Sequence, residues 1–326
     1  KLIQSGQSHY SEMITFEKPP SEKYKNIFKQ SLSQYEKRFS QDVVNLAHKI
    51  LIDYKDEKEI TLVSLARAGT PIGVLLKRYL SFISDKKITH YCVSIIRDIG
   101  LDNNAIKFIL NKHSDSSVVF IDGWTGKGVI GNQLKSSINQ LNDELNTNIS
   151  SNLYVVLDIS GTAYYGASHY DYLIPSAIFN STISGLVSRT IFNKNYLSEN
   201  DFHGYVFYNH LKNEDISVWF IDHLLSIMIK LKPTEKENVS NLFEKSQNTI
   251  EWFMKENEIS NINFVKPGVG ESTRVLLRRI PDKIYVKNVK EQSVQHLLHL
   301  AKEKEILIIE KNDLIYNAVA IIKELD

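Results

Sequence analysis

The alternation of apolar and polar residues predicts a helix, a buried strand and a second helix near the start of the chain. Between residues 35 and 54 the apolar positions lie three or four apart, which is typical of an amphipathic helix. These positions are Phe39, Val43, Leu46, Ala47, Ile50 and Leu51. The mostly apolar run 60–65 predicts a buried strand, and a helical pattern follows it at 72–82.

Three further short runs have the β-rich composition of strands. They cover residues 91–96, 117–121 and 153–157, and a helical pattern at 130–145 separates the last two. Strands that alternate with helices favour βαβ crossovers, so the sequence predicts an α/β fold with a parallel sheet and helices on both faces. Ligands bind beyond the carboxyl ends of such strands. The loops of interest are therefore 66–71, 97–104, 122–128 and 158–163.

The second half of the chain has a different organisation. An aromatic and polar stretch at 163–172 precedes a helix predicted at 216–231. A charged stretch with apolar Val239, Leu242 and Phe243 predicts a connecting helix. Strands at 284–286 and 306–309, with helices at 293–301 and 316–323, predict a small C-terminal α/β domain. The predicted units are 1–232, a connector at 233–262, and 263–326.

Composition and charge narrow the class of protein. The 326 residues are 42% hydrophobic and 24% charged, and the formal charge is +1, which excludes a uniformly basic nucleic-acid binder. One cysteine excludes an intramolecular disulfide and a multi-cysteine zinc site. No apolar run reaches the length of about 18 residues that a membrane span needs, and residues 1–6 lack a signal-peptide pattern. The sequence predicts a soluble, cytoplasmic protein without a membrane partner.

The segment from Asp122 to Gly128 has the composition of a phosphate-binding turn. A buried strand precedes it and a helix follows, so glycine amides and the helix N-terminus can converge on an anion. The predicted phosphate-binding residues are Gly123, Thr125, Gly126, Lys127 and Gly128, with Asp122 placed for a ribose diol. A turn of this kind also occurs for packing alone. The GxGxxG spacing at 126–131 matches a dinucleotide fold less well, because four residues separate the strand from the first glycine.

The loops at 66–71, 97–104 and 122–128 resemble, in this order along the chain, those of the type I phosphoribosyltransferases; the resemblance covers residues 58–165. The resemblance implies that Arg67, Ala68, Gly69 and Thr70 form a pyrophosphate loop, and that Arg97, Asp98 and Asp102 belong to a mobile active-site loop. It also implies phosphoribosyl pyrophosphate as substrate, and displacement of pyrophosphate at the anomeric carbon with Asp122 and Arg67 as catalytic residues. Mg²⁺ would be bridged by the substrate without a direct protein ligand. Most members have two adjacent acids where this chain has Asp122 followed by Gly123, so binding without turnover is an alternative.

A narrower resemblance spans nearly the whole chain. Residues 9–12, the turn 122–128 and the segment 176–193 are similar to a bacterial family encoded near tellurium-resistance and stress genes. In that family a phosphoribosyltransferase-like domain is joined to a C-terminal Pelota-type RNA-binding domain. Some family labels call it the cysteine protease StiP family. The resemblance implies a phosphoribosyltransferase of a stress response that has an RNA-binding module.

Other side chains suggest further chemistry. Cys92 lies two residues from His90 in a predicted strand, so the two share a face, as a thiol protease would require. We expect instead that Cys92 is a small core residue. Tyr165, His169 and Asp171 belong to the aromatic stretch and are candidates for a hood over a flat base.

The C-terminal domain carries a local basic excess. Residues 266–290 contain seven basic and two acidic side chains, and the turn at 267–274 resembles the glycine-containing signature of Pelota-like and kink-turn-binding proteins. The RNA-binding residues predicted from it are Lys266, Gly268, Gly270, Glu271, Thr273, Arg274, Arg278 and Arg279. The alternative interpretation is a basic helix that docks on the first domain.

Overall fold

The computed structural model describes residues 11–12, 16–235 and 239–323. His9 and Tyr10 of the motif at 9–12 lie outside the described residues. Over the first 228 residues the chain forms helices α1 to α5 and strands β1 to β6. The helices are α1 (Glu22–Asp53), α2 (Thr70–Ile83), α3 (Asn103–Leu110), α4 (Val129–Leu145) and α5 (Ser217–Met228). The strands are β1 (Glu59–Ala66), β2 (Lys87–Ile96), β3 (Gly100–Leu101), β4 (Val118–Thr125), β5 (Leu153–Asp158) and β6 (Tyr165–Ser168).

These strands form one sheet in the order β3-β2-β1-β4-β5-β6. All neighbours are parallel except β3, which pairs with β2 in the antiparallel direction. Helices α1, α2 and α5 pack on one face and α3 and α4 on the other. The predicted parallel sheet with helices on both faces is therefore confirmed. Because β1, β2, β4 and β5 all end at the same edge, the loops that follow them lie side by side.

The C-terminal residues form a second, smaller sheet. Helices α6 (Leu242–Glu256), α7 (Val269–Arg278) and α8 (Gln295–Glu303) accompany β7 (Val265–Pro267), β8 (Pro281–Val286), β9 (Leu307–Glu310) and β10 (Ala318–Ile322). The sheet order is β7-β10-β8-β9. The predicted small α/β domain is confirmed, but the helix predicted at 316–323 is wrong. That segment contains the central strand β10, whose continuous apolar run does not distinguish a buried strand from a buried helix.

The two sheets share one apolar core. The cluster that includes Leu62 and Ile121 of the first sheet extends to Val269 and Ile284 of the second. Helix α6 packs on the small sheet, where the rings of Phe253 and Tyr285 lie 4.9 Å apart. Within the described ranges, no helix is both long and apolar enough to cross a lipid bilayer.

Candidate anion-binding site between the two domains

Asp122 lies within strand β4, near its carboxyl end, and not in a loop. The strand continues to Thr125, so the turn begins at Gly126, four residues later than predicted. The Asp122 side chain is only 9% exposed, and its Oδ1 accepts a hydrogen bond of 2.7 Å from the amide of Gly123. Burial raises the pKa of Asp122 to about 7, against the opposing effects of that bond and of the Arg274 charge. This carboxyl group is thus poised to gain or lose a proton near neutral pH.

Two of the backbone amides predicted to bind a phosphate donate hydrogen bonds to side chains of the same segment. The Gly123 amide donates to Asp122, and the Gly128 amide donates to Thr125 Oγ1 at 3.3 Å. Gly128 has φ +78, and a Cβ there would lie 2.8 Å from the side chain of Thr162, so the turn needs glycine at this position. The hydroxyls of Thr125 and Thr162 lie 2.9 Å apart. The Gly123 and Gly128 amides therefore have internal acceptors in this structure, and their role in phosphate binding stays a prediction.

Lys127 extends from the turn to the C-terminal domain. Its Nζ donates to the carbonyl oxygens of Ile262 at 2.7 Å and Val265 at 3.0 Å. Burial, together with the charges of Lys266 and Arg97, lowers the pKa of Lys127 to about 7. The predicted phosphate-binding lysine is consequently part of the domain contact.

The start of α7 closes the cleft above this turn. A cavity of about 160 Å³ lies between residues 122–131 of the first domain and Lys266, Pro267 and Glu271 of the second. The Arg274 guanidinium donates to Glu271 at 3.0 Å and lies 5.8 Å from the centre of the Trp124 ring. Burial alone would raise the pKa of Glu271. The charges of Arg274, Lys266 and Lys127, with a hydrogen bond from Trp124, hold it below its usual value.

The loop after β1 lies beside this cleft and is tightly built. A Cβ on Gly69 would lie 2.7 Å from the Ile121 carbonyl oxygen, and the Gly69 amide donates to Leu65 at 3.0 Å. The Ala66–Arg67 peptide is cis. Arg67 donates to the Val187 carbonyl at 2.8 Å and to Glu17 at 3.2 Å. In this structure Arg67 thus binds other parts of its own domain, and the Gly69 amide is not open to a pyrophosphate group.

The loop after β2 contains regular structure. Asp102 is the N-cap of α3 and accepts from the Ala105 amide at 3.0 Å, so it has a local structural role. Asp98 has φ +69 and lies 3.4 Å from the Arg97 side chain. Arg97 also donates to Asn263 at 2.9 Å, which ties this loop to the C-terminal domain.

The three residues predicted as a hood do not come together over the cleft. Tyr165 is the first residue of β6 and pairs in register with Tyr154 of β5. Both lie at the amino ends of their strands, at the edge of the sheet opposite the cleft. His169 Nδ1 lies 2.6 Å from the carbonyl oxygen of Asp158. Asp171 accepts from the amides of Val269 and Asn317, so it fastens the second domain instead of contacting a base.

Most of the predicted RNA-binding residues face the first domain. Arg278 donates to Asn180 at 2.7 Å and to the Ile178 carbonyl at 2.6 Å. Thr273 is fully buried, with its hydroxyl 2.7 Å from His296. Gly268 has φ +95, and a Cβ on it would meet Ile159 at 2.5 Å. Lys266 and Glu271 line the cleft and Arg274 pairs with Glu271, whereas Arg279 is exposed and a Cβ on Gly270 would meet open space. The arrangement matches the alternative interpretation of a basic helix docked on the first domain.

Cys92 is exposed, so its expected place in the core is wrong. Its sulfur lies 2.9 Å from Thr70 Oγ1, while His90 Nε2 contacts Ser64 Oγ at 2.8 Å. The protein atoms around the sulfur limit its hydration and raise the pKa of Cys92, and burial lowers the pKa of His90 to about 4. Both shifts oppose a thiolate–imidazolium pair.

Two features of the site were missed in the sequence. Trp124 belongs to the phosphate-loop motif, yet its contact with Arg274 depends on how the domains dock. Asp158 ends β5 and accepts from the amides of Gly161 at 2.7 Å and Ala163 at 3.1 Å, which shapes the loop that reaches the β4 turn. An acid directly after a buried strand was the signal available for Asp158, as it was for Asp122.

Comparison with known proteins gives the family. Residues 1–225 match the family described as tellurite-like stress resistance cysteine protease StiP, and residues 244–324 match the PELOTA RNA-binding domain. A protein of Acinetobacter baylyi named cysteine protease StiP is 37% identical over 341 residues, covering 100% of this chain and 88% of that protein. The chain belongs to the StiP family, and the predicted family resemblance is confirmed.

Solved structures similar to this chain include hypoxanthine phosphoribosyltransferases. The enzyme of Trypanosoma cruzi in complex with its product IMP is 14% identical, covers 56% of this chain and 93% of its own, and gives a TM-score of 0.34. A hypoxanthine-guanine phosphoribosyltransferase of Bacillus anthracis is 13% identical, covers 52% and 94%, and gives 0.32. TM-scores of this size carry no further conclusion about substrate or activity.

Proposed function

We propose that the protein binds phosphoribosyl pyrophosphate at the cleft between β4 and α7 and displaces pyrophosphate from its anomeric carbon. The observation that carries the proposal is the position of Asp122. It is a buried carboxyl group with a pKa near 7, at the carboxyl edge of a parallel sheet, next to a turn rich in glycine and threonine. Lys127 supplies positive charge from that turn, and Lys266 and Arg274 supply it from the second domain.

The residues fit a metal ion that is held mainly by substrate and water. No group of three or more histidine, cysteine, aspartate or glutamate side chains able to hold a metal occurs in the described parts of the chain. Mg²⁺ commonly retains several waters and binds substrate oxygens, so the proposal needs no direct protein ligand, and Asp122 would act on the ion only through the ribose hydroxyls that it holds. When bound with substrate, Mg²⁺ would offset the negative charge of the diphosphate.

Asp122 would hold the ribose hydroxyls and orient the anomeric carbon. Its ionised form would also favour the positive charge that develops on the ribose ring as the bond to pyrophosphate breaks. The cations of the cleft would bind the 5′-phosphate. Arg67 would act on the leaving pyrophosphate only after exchanging its bond with Glu17 for the ligand, and Ala68 lies in the same loop.

Release of pyrophosphate tests this function. The full chain is incubated with phosphoribosyl pyrophosphate, Mg²⁺ and a panel of nucleobases, beside Asp122→Asn and the control Asp143→Asn, whose carboxylate is exposed on α4. We expect release by the wild type and by the control, and a loss of at least about 100-fold in Asp122→Asn. Binding without release would support a non-catalytic ribose-phosphate module. An absence of both would overturn the proposal.

RNA binding is a second candidate function, favoured by the PELOTA match at 244–324. Of the predicted residues, Arg279 remains accessible to a phosphate backbone. Affinity of the full chain for a structured RNA should then fall steeply as salt increases, and Arg279→Ala should reduce that slope. Salt-independent or undetectable binding would remove this candidate.

A further inference from the structure

Positive charges from both domains lie in and around the cleft. Lys127 and Arg97 come from the first domain, and Lys266 and Arg274 come from the second. Burial is the largest cause that lowers the pKa of each lysine; the charges of Lys266 and Arg97 add to it for Lys127, and those of Arg97, Arg279 and Arg274 add to it for Lys266. Such a group of cations favours an anion among them.

The anion present is a side chain of the protein. Glu271 lies in the first turn of α7, accepts from Arg274 at 3.0 Å and lines the cavity beside the β4 turn. Trp124, two residues beyond Asp122 in β4, lines the same cavity and contributes to the lowered pKa of Glu271. The carboxylate thus faces the turn where the phosphate of a ligand is proposed to lie.

We propose that the cleft is a single anion-binding site built from both domains, that Glu271 fills it in this structure, and that a phosphate-bearing ligand enters by displacing the Glu271 carboxylate. This inference rests on the proposed function, because it concerns the same site. It assigns Lys266 and Arg274 to the binding of a phosphate monoester. The C-terminal domain then acts as a lid whose own carboxylate competes with the ligand.

A simpler role for Glu271 makes a different prediction. An acid in the first turn stabilises a helix through the helix dipole, and a glutamate three residues before an arginine adds a surface ion pair. If these were its only effects, removing the charge would lower stability and leave anion affinity unchanged or weaker. If Glu271 competes with the ligand, removing the charge strengthens anion binding.

Titration with inorganic phosphate by calorimetry separates the two roles. We expect Glu271→Gln to bind phosphate at least about tenfold more tightly than the wild type, because the internal competitor is gone. The control is Glu256→Gln, which removes an exposed carboxylate from the end of α6 and should match the wild type. Equal or weaker binding by Glu271→Gln, with clear binding by the wild type, would overturn the role of Glu271 and leave the proposed function standing. Failure of all three proteins to bind phosphate would overturn the two-domain anion site, and the assay of pyrophosphate release then decides the proposed function separately.

Fluorescence of the wild type gives a measurement that does not depend on the folding of Glu271→Gln. Displacement of Glu271 moves its carboxylate away from Trp124, which lines the same cavity, so phosphate should change the tryptophan emission. The same titration of Trp124→Phe should show no change, although Trp219 and Trp252 remain. An unchanged emission of the wild type at saturating phosphate would contradict displacement.

Discussion

The Asp171 carboxylate of the first domain accepts a hydrogen bond of 2.8 Å from the amide of Val269, the first residue of α7. Its other oxygen accepts from the Asn317 amide at 2.9 Å, just before β10. One buried side chain thus fixes two elements of the C-terminal domain. It holds the start of α7, with Glu271 and Arg274, against the end of β4.

We expect Asp171→Ala to loosen the two domains. The change leaves two buried amide donors without an acceptor, at a cost of about 2 kcal/mol or more. Urea unfolding followed by circular dichroism should show a lower midpoint or a separate early transition for the C-terminal domain. Asp143→Asn is the control and should unfold like the wild type. Coincident unfolding curves for Asp171→Ala and the wild type would argue against this contact.

Two glycines should respond to alanine in opposite ways. A Cβ on Gly69 would lie 2.7 Å from the Ile121 carbonyl oxygen, so Gly69→Ala pushes the loop after β1 away from β4 and should cost at least about 2 kcal/mol. Gly270 lies within α7 with nothing within 4 Å of a new Cβ, so Gly270→Ala should stabilise by about 0.5 to 1 kcal/mol. Thermal unfolding of both variants measures the difference. A stable Gly69→Ala would show that this loop is not tightly built.

Asp42 should make stability depend on pH. It is buried in α1, where the Tyr172 hydroxyl donates to it at 2.9 Å, and burial raises the pKa of Asp42 to about 7. Between its unfolded pKa of about 4 and the folded value, the folded state binds more protons, so rising pH lowers the free energy of unfolding.

The variant Asp42→Asn removes this contribution and retains an acceptor for Tyr172. The free energy of unfolding of Asp42→Asn minus that of the wild type should increase by up to about 4 kcal/mol from pH 4 to pH 8. Denaturant titrations at several pH values measure the gain. If the free energies of unfolding of the two proteins changed in parallel with pH, the pKa of Asp42 would not be raised in the folded state.

Cys92→Ser tests the activity in the name of the Acinetobacter relative. With its pKa raised, the Cys92 thiol should react with iodoacetamide at pH 7 more slowly than free cysteine, and Cys92→Ser should retain pyrophosphate release. Mass spectrometry of the alkylated protein gives the rate. A peptidase activity that Cys92→Ser abolishes would instead support a thiol protease.

Local sequence predicted β1, β2, β4 and β5 of the first sheet because each is a short, mostly apolar run followed by a turn or a helical pattern. It placed Asp122 at the carboxyl edge for the same reason. It missed the edge strands β3 and β6, which are short and lack such a run. It did not predict β10, because five consecutive apolar residues at 318–322 carry no period that separates helix from strand. Neighbours in the sheet, β7 and β8, decide its conformation.

The set of residues that forms the cleft could not be predicted from local sequence, because it depends on contacts between distant parts of the chain. Lys127 and Ile262 are 135 residues apart, and Asp171 and Val269 are 98 apart, so their contacts exist only after the domains dock. Motif spacing could therefore identify Lys127 and Arg274 as basic side chains for phosphate. It could not show that the cleft brings Lys127 together with Glu271, the partner of Arg274.

The most direct test of the account is calorimetric titration of phosphoribosyl pyrophosphate with Mg²⁺ into the full chain and into Asp122→Asn. We predict saturable binding by the wild type and by Asp143→Asn, with affinity at least about tenfold weaker in Asp122→Asn. Equal affinity in Asp122→Asn, or no binding by the wild type, would contradict a ribose-phosphate site at the end of β4.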